Sequence, residues 1–168
     1  IDQLGHDLHL VISNVAPSGP LMLVGHSMGG MTVMSLAADF PEMFAERVTG
    51  VALLGTSSGN MDQALLGLPG PVARAAHRLT PLVAPTLVSR GDLIESTRQR
   101  TSDLSKIILS QYSFGSSVPA EIADFTADMI NATPVDVVGE FLPTFDAHDK
   151  RAALAALHGI EVLVMVGK

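Results

Sequence analysis

The chemistry legible in this chain starts at one serine. Residues 21 to 30 read LMLVGHSMGG, a short apolar run that breaks into Gly25-His26-Ser27-Met28-Gly29. A serine hydroxyl is lifted clear of the carboxyl edge of a sheet when it sits in a tight strand-to-helix turn, a backbone conformation that costs about 1–3 kcal/mol. In such a turn the residues two before and two after the serine approach too closely for side chains, and the spacing puts Gly25 and Gly29 there. Ser27 then opens a helix whose unpaired N–H groups and dipole favour negative charge, so the Met28 N–H can point at a developing oxyanion. His26, next in the chain, turns its side chain away from Ser27 and reads as shaping the elbow.

The same residues admit other chemistries. Gly25 to Gly30 has the G-x-x-x-x-G spacing of a phosphate loop with Thr32 close behind, but the lysine that loop requires is replaced by Met31. Of the six histidines, His6 and His9 sit beside polar neighbours on a helix and read as solvated, and His77 faces away from the apolar stripe of its helix. His158 precedes Gly159, where an imidazolium suits the negative end of a helix. His148, in FDAHDKR, lies where the chain returns to the sheet; it reads as a structural hydrogen-bonder and a candidate for touching a substrate cavity. Asp146 and Asp149 read as caps for the helix they precede. No group of His, Asp and Glu has metal-ligand spacing, so neither a metal nor a cofactor is expected.

The elements that must position Ser27 follow from periodicity. Leu4, Leu8 and Ile12 predict a helix over residues 2–14, and a turn at 16–20 leads into a strand at 21–24. A helix follows Ser27 to about Asp39, where DFPE stops it. VTGVALLGTS predicts a buried strand near 48–54, and strand, helix, strand implies a parallel crossover. From Ser57 to about Phe145 helical stripes take over: Val72, Ala75, Ala76 and Leu79, then Leu104, Ile107 and Ile108, then Ile122, Phe125, Met129 and Ile130. In ATPVDVVGEF, Thr133 is placed as an N-cap, Pro134 in the first turn and Asp136 near the positive end of the dipole. DKRAALAALHG predicts a surface helix closed by Gly159, and IEVLVMVG a third buried strand at 160–166.

Gly25-His26-Ser27-Met28-Gly29-Gly30, with this order of elements, resembles the α/β-hydrolase superfamily and its cap-bearing esterase and lipase-like members. The resemblance spans the whole chain. It implies an α/β fold, a partial α/β-hydrolase whose parallel sheet holds the family's strands 5, 6 and 7 with a helical cap inserted. The domains it implies are a core segment at 1–57, a cap or lid at 58–145 and a return to the core at 146–168. Ser27 would be the nucleophile and the Met28 N–H half of the oxyanion hole, with Gly25, His26 and Gly29 building the elbow. Pockets of this superfamily lie between cap and elbow, which makes Met28, Met31, Leu65, Leu66 and His148 candidate lining residues.

The same resemblance places the triad acid just after the third strand and the histidine one strand later, both beyond Lys168, and the second oxyanion donor before Ile1. The chain is therefore expected to be an internal piece of a larger hydrolase and inactive by itself. Some relatives supply the acid after the preceding strand, but Asp62 is far from that strand's end. A serine at the elbow, where some relatives carry aspartate, suits acyl transfer from an ester, thioester or amide carbonyl. Ester hydrolysis leads; a non-catalytic binding domain, an acyltransferase and a cofactor-free peroxidase are the alternatives.

Composition agrees with a small apolar or ester substrate. A net charge of −7 and few Lys and Arg exclude a phosphate-neutralising surface, so no nucleic acid is expected. One tyrosine, six phenylalanines and no tryptophan leave little for an aromatic-lined sugar or ammonium site. No apolar stretch reaches the roughly 18 residues of a membrane span, and IDQLGHDLHLVISNV lacks the basic start of a signal peptide. Without cysteine the redox compartment is open and the cytoplasm is the default; the oligomeric state is left open.

Overall fold

The computed structural model describes residues 1–59 and 114–167. The chain divides into two compact units, Ile1–Met61 with Ala147–Lys168, and Asp62–Asp146. The first opens with helix α1 (Asp2–Val15), strand β1 (Leu21–His26), helix α2 (Met28–Asp39), helix α3 (Pro41–Arg47) and strand β2 (Val48–Leu54). Of the second unit, helices α4 (Ala120–Asn131) and α5 (Val135–Asp146) are described; the first unit then closes with a 3-10 helix (Ala152–Leu157) and strand β3 (Glu161–Met165).

The three strands form a parallel sheet in the order β1-β2-β3. β1 extends two residues past the expected end because Gly25 and His26 pair with Leu53 and Leu54. Alternation splits the sheet into two faces. Val51 and Leu53 of β2 point into a core with Val33, Leu36 and Ala37 of α2, Ile12 of α1, and Met43 and Phe44 of α3. Met22 and Val24 of β1 point the other way and are exposed. Spacing of three and four along α2 gives it the apolar stripe that seats it on the sheet.

As expected, α2 stops at Asp39 in DFPE, and a second helix, α3, opens directly after it at Pro41. Pro41 occupies the first turn of α3, Glu42 stands near its positive end and Arg47 near its negative end. Arg47 reaches back to hold the turn before β1, its Nε donating to Gly19 O at 3.0 Å and its Nη2 to Ala16 O at 2.6 Å. The expected surface helix before β3 is a 3-10 helix. Ala153 and Ala156 both pack on the core, and a spacing of three lines up on one face only when the helix tightens to three residues per turn. Gly159, with φ +82, follows it.

Asp149 precedes this helix and accepts from the Arg151 N–H at 3.2 Å and from Arg151 Nε at 2.9 Å. Asp146 instead ends α5. α5 starts at Val135, directly after Pro134, with Asp136 in its first turn. On α4 the stripe Ile122, Phe125, Met129 and Ile130 is exposed, and the buried residue is Ala127. Ala127 lies nearly opposite Phe125 and Met129 around the helix, so α4 packs through its small face. The stripes at 72–79 and 104–108 lie outside the described residues.

Candidate active site

Ser27 sits alone between β1 and α2, with φ 50 and ψ −120. It is the one non-glycine with positive φ among the described residues, the strained turn that lifts a side chain off a strand end at a cost of about 1–3 kcal/mol. The residue is exposed. Its N–H donates to Leu54 O at 2.9 Å, and its carbonyl accepts from the N–H groups of Gly30 and Met31 at 3.0 and 3.4 Å. Met28 begins α2, so its N–H has no carbonyl four residues back within the helix. That donor stands one peptide bond from the hydroxyl.

The glycine pairing differs from the one expected. A Cβ on Gly25 would come within 2.6 Å of Gly30 N and Cα, whereas one on Gly29 would meet nothing within 4 Å among the described residues. The helix that starts at Met28 swings its third residue, not its second, back against the strand. Gly30 is tight on its other side as well, because its Cβ would lie 2.6 Å from Thr56 Cγ2 and Oγ1. Gly25 and Gly30 therefore set the closeness of the elbow, and Gly29 is an open position at its surface. The second glycine of the Gly29-Gly30 pair was the available signal for this.

This constellation has a known setting. The family Hydrolase_4, described as serine aminopeptidase, S33, matches residues 1–168. The chain belongs to this α/β-hydrolase family. No curated protein matches it. The sheet of the hydrolase, parallel with helices between its strands, is a partial α/β-hydrolase fold.

The remaining candidates divide. His26 is exposed, and its ring lies beside Gly55, with Nε2 3.8 Å from where a Cβ on that glycine would stand. His148 is buried, and its Nε2 faces Ser57 O at 3.1 Å. A carbonyl only accepts, so Nε2 carries the proton and Nδ1 is a bare acceptor; Nδ1 is buried without a partner. Burial pushes the His148 pKa below its ordinary value, against the Ser57 carbonyl, which raises it, and with Lys150, which lowers it. His148 thus holds the exit of β2 to the segment returning toward β3, reinforced by the Lys150 N–H donating to Ser58 O at 2.7 Å. It is a fastener. His6 and His9 are not merely solvated: His6 Nε2 lies 3.4 Å from Asp39 Oδ2, and His9 stacks on Phe40 with ring centroids 3.8 Å apart.

Among the described residues Ser27 Oγ has no hydrogen-bonded base, and no group of three His, Asp or Glu is placed to hold a metal ion. Met31 is buried at 3% exposure. A cavity of about 340 Å³ in the first unit is lined by Met34, Leu53, Leu157 and Val164 with Thr56 and Ser58 at its polar side, and neither Ser27, Met31 nor His148 lines it. His77, Asp62, Leu65 and Leu66 lie outside the described residues. No helix among the described residues is long and apolar enough to cross a membrane.

Proposed function

We propose that the chain carries the nucleophile of a serine hydrolase that cleaves a carboxylic ester or a related acyl bond. The observation that carries this is Ser27 itself: a non-glycine residue at φ 50, its side chain exposed where a strand becomes a helix, in a chain of a hydrolase family. In this reading Ser27 Oγ attacks the acyl carbonyl and forms an acyl-enzyme, which water then hydrolyses. The Met28 N–H stabilises the oxyanion of each tetrahedral intermediate. The proton leaving Ser27 goes to a histidine outside the described residues, since His148 is committed to Ser57 O.

The family's description as a serine aminopeptidase makes the amide of an N-terminal amino acid the competing substrate, cleaved by the same steps. The full-length protein is tested with p-nitrophenyl butyrate and an aminoacyl p-nitroanilide, and with a serine-directed fluorophosphonate. Ser27→Ala should lower turnover by at least about 10³-fold, as expected when an acyl-transfer nucleophile is removed, and abolish labelling with an unchanged melting temperature. Undiminished turnover in that variant would reject the nucleophile, and faster cleavage of the anilide than the ester would transfer the reading to aminopeptidase chemistry.

A further inference from the structure

We infer that Thr56 is a positioning residue that aims the oxyanion donor of Ser27's own turn. Its Oγ1 donates to the Ser27 carbonyl at 2.7 Å, from the loop that follows β2. That carbonyl belongs to the peptide unit joining Ser27 to Met28. In a planar trans peptide the C=O and the N–H point in opposite directions, so fixing the Ser27 C=O fixes where the Met28 N–H points. The hydrogen bond acts on the donor through one rigid plane.

Local geometry gives this hold something to oppose. At φ 50 and ψ −120 Ser27 is strained, and the soft way out is rotation of that peptide plane about the bonds on either side of it. The N–H of Ser27 is already tied to Leu54 O at 2.9 Å, which holds the preceding peptide but leaves the following one free to turn. The Gly30 and Met31 N–H groups also reach the Ser27 carbonyl, but they move with α2. Among the described residues, Thr56 is the anchor of this peptide that comes from outside β1 and α2. Gly30 makes the approach feasible, since its missing Cβ leaves the space that Thr56 Cγ2 and Oγ1 occupy. A donor on a peptide carbonyl also polarises the N–H at the other end of the unit, strengthening it toward an anion.

This inference rests on the serine-hydrolase reading of the site, and its test separates the two. In the full-length protein, Thr56→Val keeps the shape and removes the hydroxyl. Because an oxyanion donor works in the transition state and not in substrate binding, kcat should fall at least about tenfold with KM unchanged, and Thr56→Ser should recover most of the loss. Gly30→Ala, which displaces Thr56, should reproduce the kcat defect. Amide exchange at Gly30 and Met31 gives a readout independent of turnover, and both amides should exchange faster in Thr56→Val. A Thr56→Val enzyme within twofold of the parent in kcat, or a Thr56→Ser enzyme as impaired as Thr56→Val, overturns the inference while Ser27→Ala remains inactive. If Ser27→Ala keeps full turnover, the hydrolase reading falls instead, and unchanged amide exchange in Thr56→Val would then also remove the structural hold.

Discussion

At the scale of single residues, the elbow is governed by where backbone meets backbone. Gly25→Ala forces a methyl to within 2.6 Å of Gly30 Cα and N, which are backbone and cannot swing aside; overpacking of this kind costs about 1–3 kcal/mol. Gly29→Ala meets nothing within 4 Å among the described residues and exchanges a glycine inside α2 for the best helix former, a gain of up to about 1 kcal/mol. Urea midpoints of the two variants should therefore move in opposite directions, and a loss of equal size at both sites would restore the symmetric pairing of Gly25 with Gly29. His148 supplies a second prediction. Burial lowers its pKa in the folded chain, while the unfolded chain keeps the ordinary value of 6.5. Above pH 6.5 both states are neutral and the fastener is intact; below it the unfolded chain takes up a proton first, so stability falls as pH drops toward the lowered value. The charged side chains near the ring act in opposite senses, Lys150 lowering its pKa and Asp2 raising it. The drop in urea midpoint between pH 7.5 and 5.5 should shrink in His148→Gln, and an identical drop in both proteins would count against His148 as its source.

At the scale of elements, α1 crosses α2 at a point where neither helix has room. A Cβ on Gly5 would lie 2.8 Å from Ser35 Oγ and 2.9 Å from Leu36 N, and Ser35 Oγ is fully buried without a hydrogen-bond partner. An unsatisfied buried hydroxyl costs about 1–3 kcal/mol, so Ser35→Ala should leave the melting temperature unchanged or raise it. Gly5→Ala should lower it, and adding Ser35→Ala should not rescue it, because Leu36 N stays in place. A stabilised double variant would show that the hydroxyl alone sets the crossing. The limits of sequence reading lie at this same scale. Strands β1, β2 and β3 and the serine turn were visible because apolar runs and G-x-S-x-G are local patterns, but β3, expected to be buried, is exposed at all five residues, since among the described residues it pairs only with β2 and stands at the edge of the sheet. The extension of β1 through His26 was not visible, since it depends on pairing with Leu54. Helix α3 was not foreseen, because the proline that follows the correctly placed end of α2 also opens the next helix. Thr56 and Gly30 were missed because their contact spans 26 residues and carries no local pattern. His148 was singled out for its place in the chain, yet only the fold shows that Ser57 O occupies it.

At the scale of the whole molecule, the sheet of the first unit and the net charge pull in opposite directions. Among the described residues β1 and β3 each pair on one side only, and the face opposite the helices shows Met22 at 74% and Val24 at 64% exposure on one strand, with Leu163 at 53% and Met165 at 55% on the other. Unpaired N–H and C=O groups beside exposed apolar side chains form a template for another strand. Against this stands a net charge of −7, which repels a second copy. Repulsion between surface charges fades beyond a Debye length of about 8 Å at physiological ionic strength, while strand pairing and apolar burial act at contact and are not screened. Contact should win once salt is present. The 168-residue chain expressed alone is therefore expected to associate, and to do so more at 0.5 M than at 0.02 M NaCl. Val24→Lys puts a charge on the exposed face without touching the core side of β1, so it should reduce association at every salt concentration while leaving the far-UV spectrum unchanged. Size-exclusion chromatography with light scattering reads both effects. A clean monomer at 0.5 M NaCl with a sharp thermal transition would mean that the bare face and open edges are tolerated, and that the association expected from them does not occur.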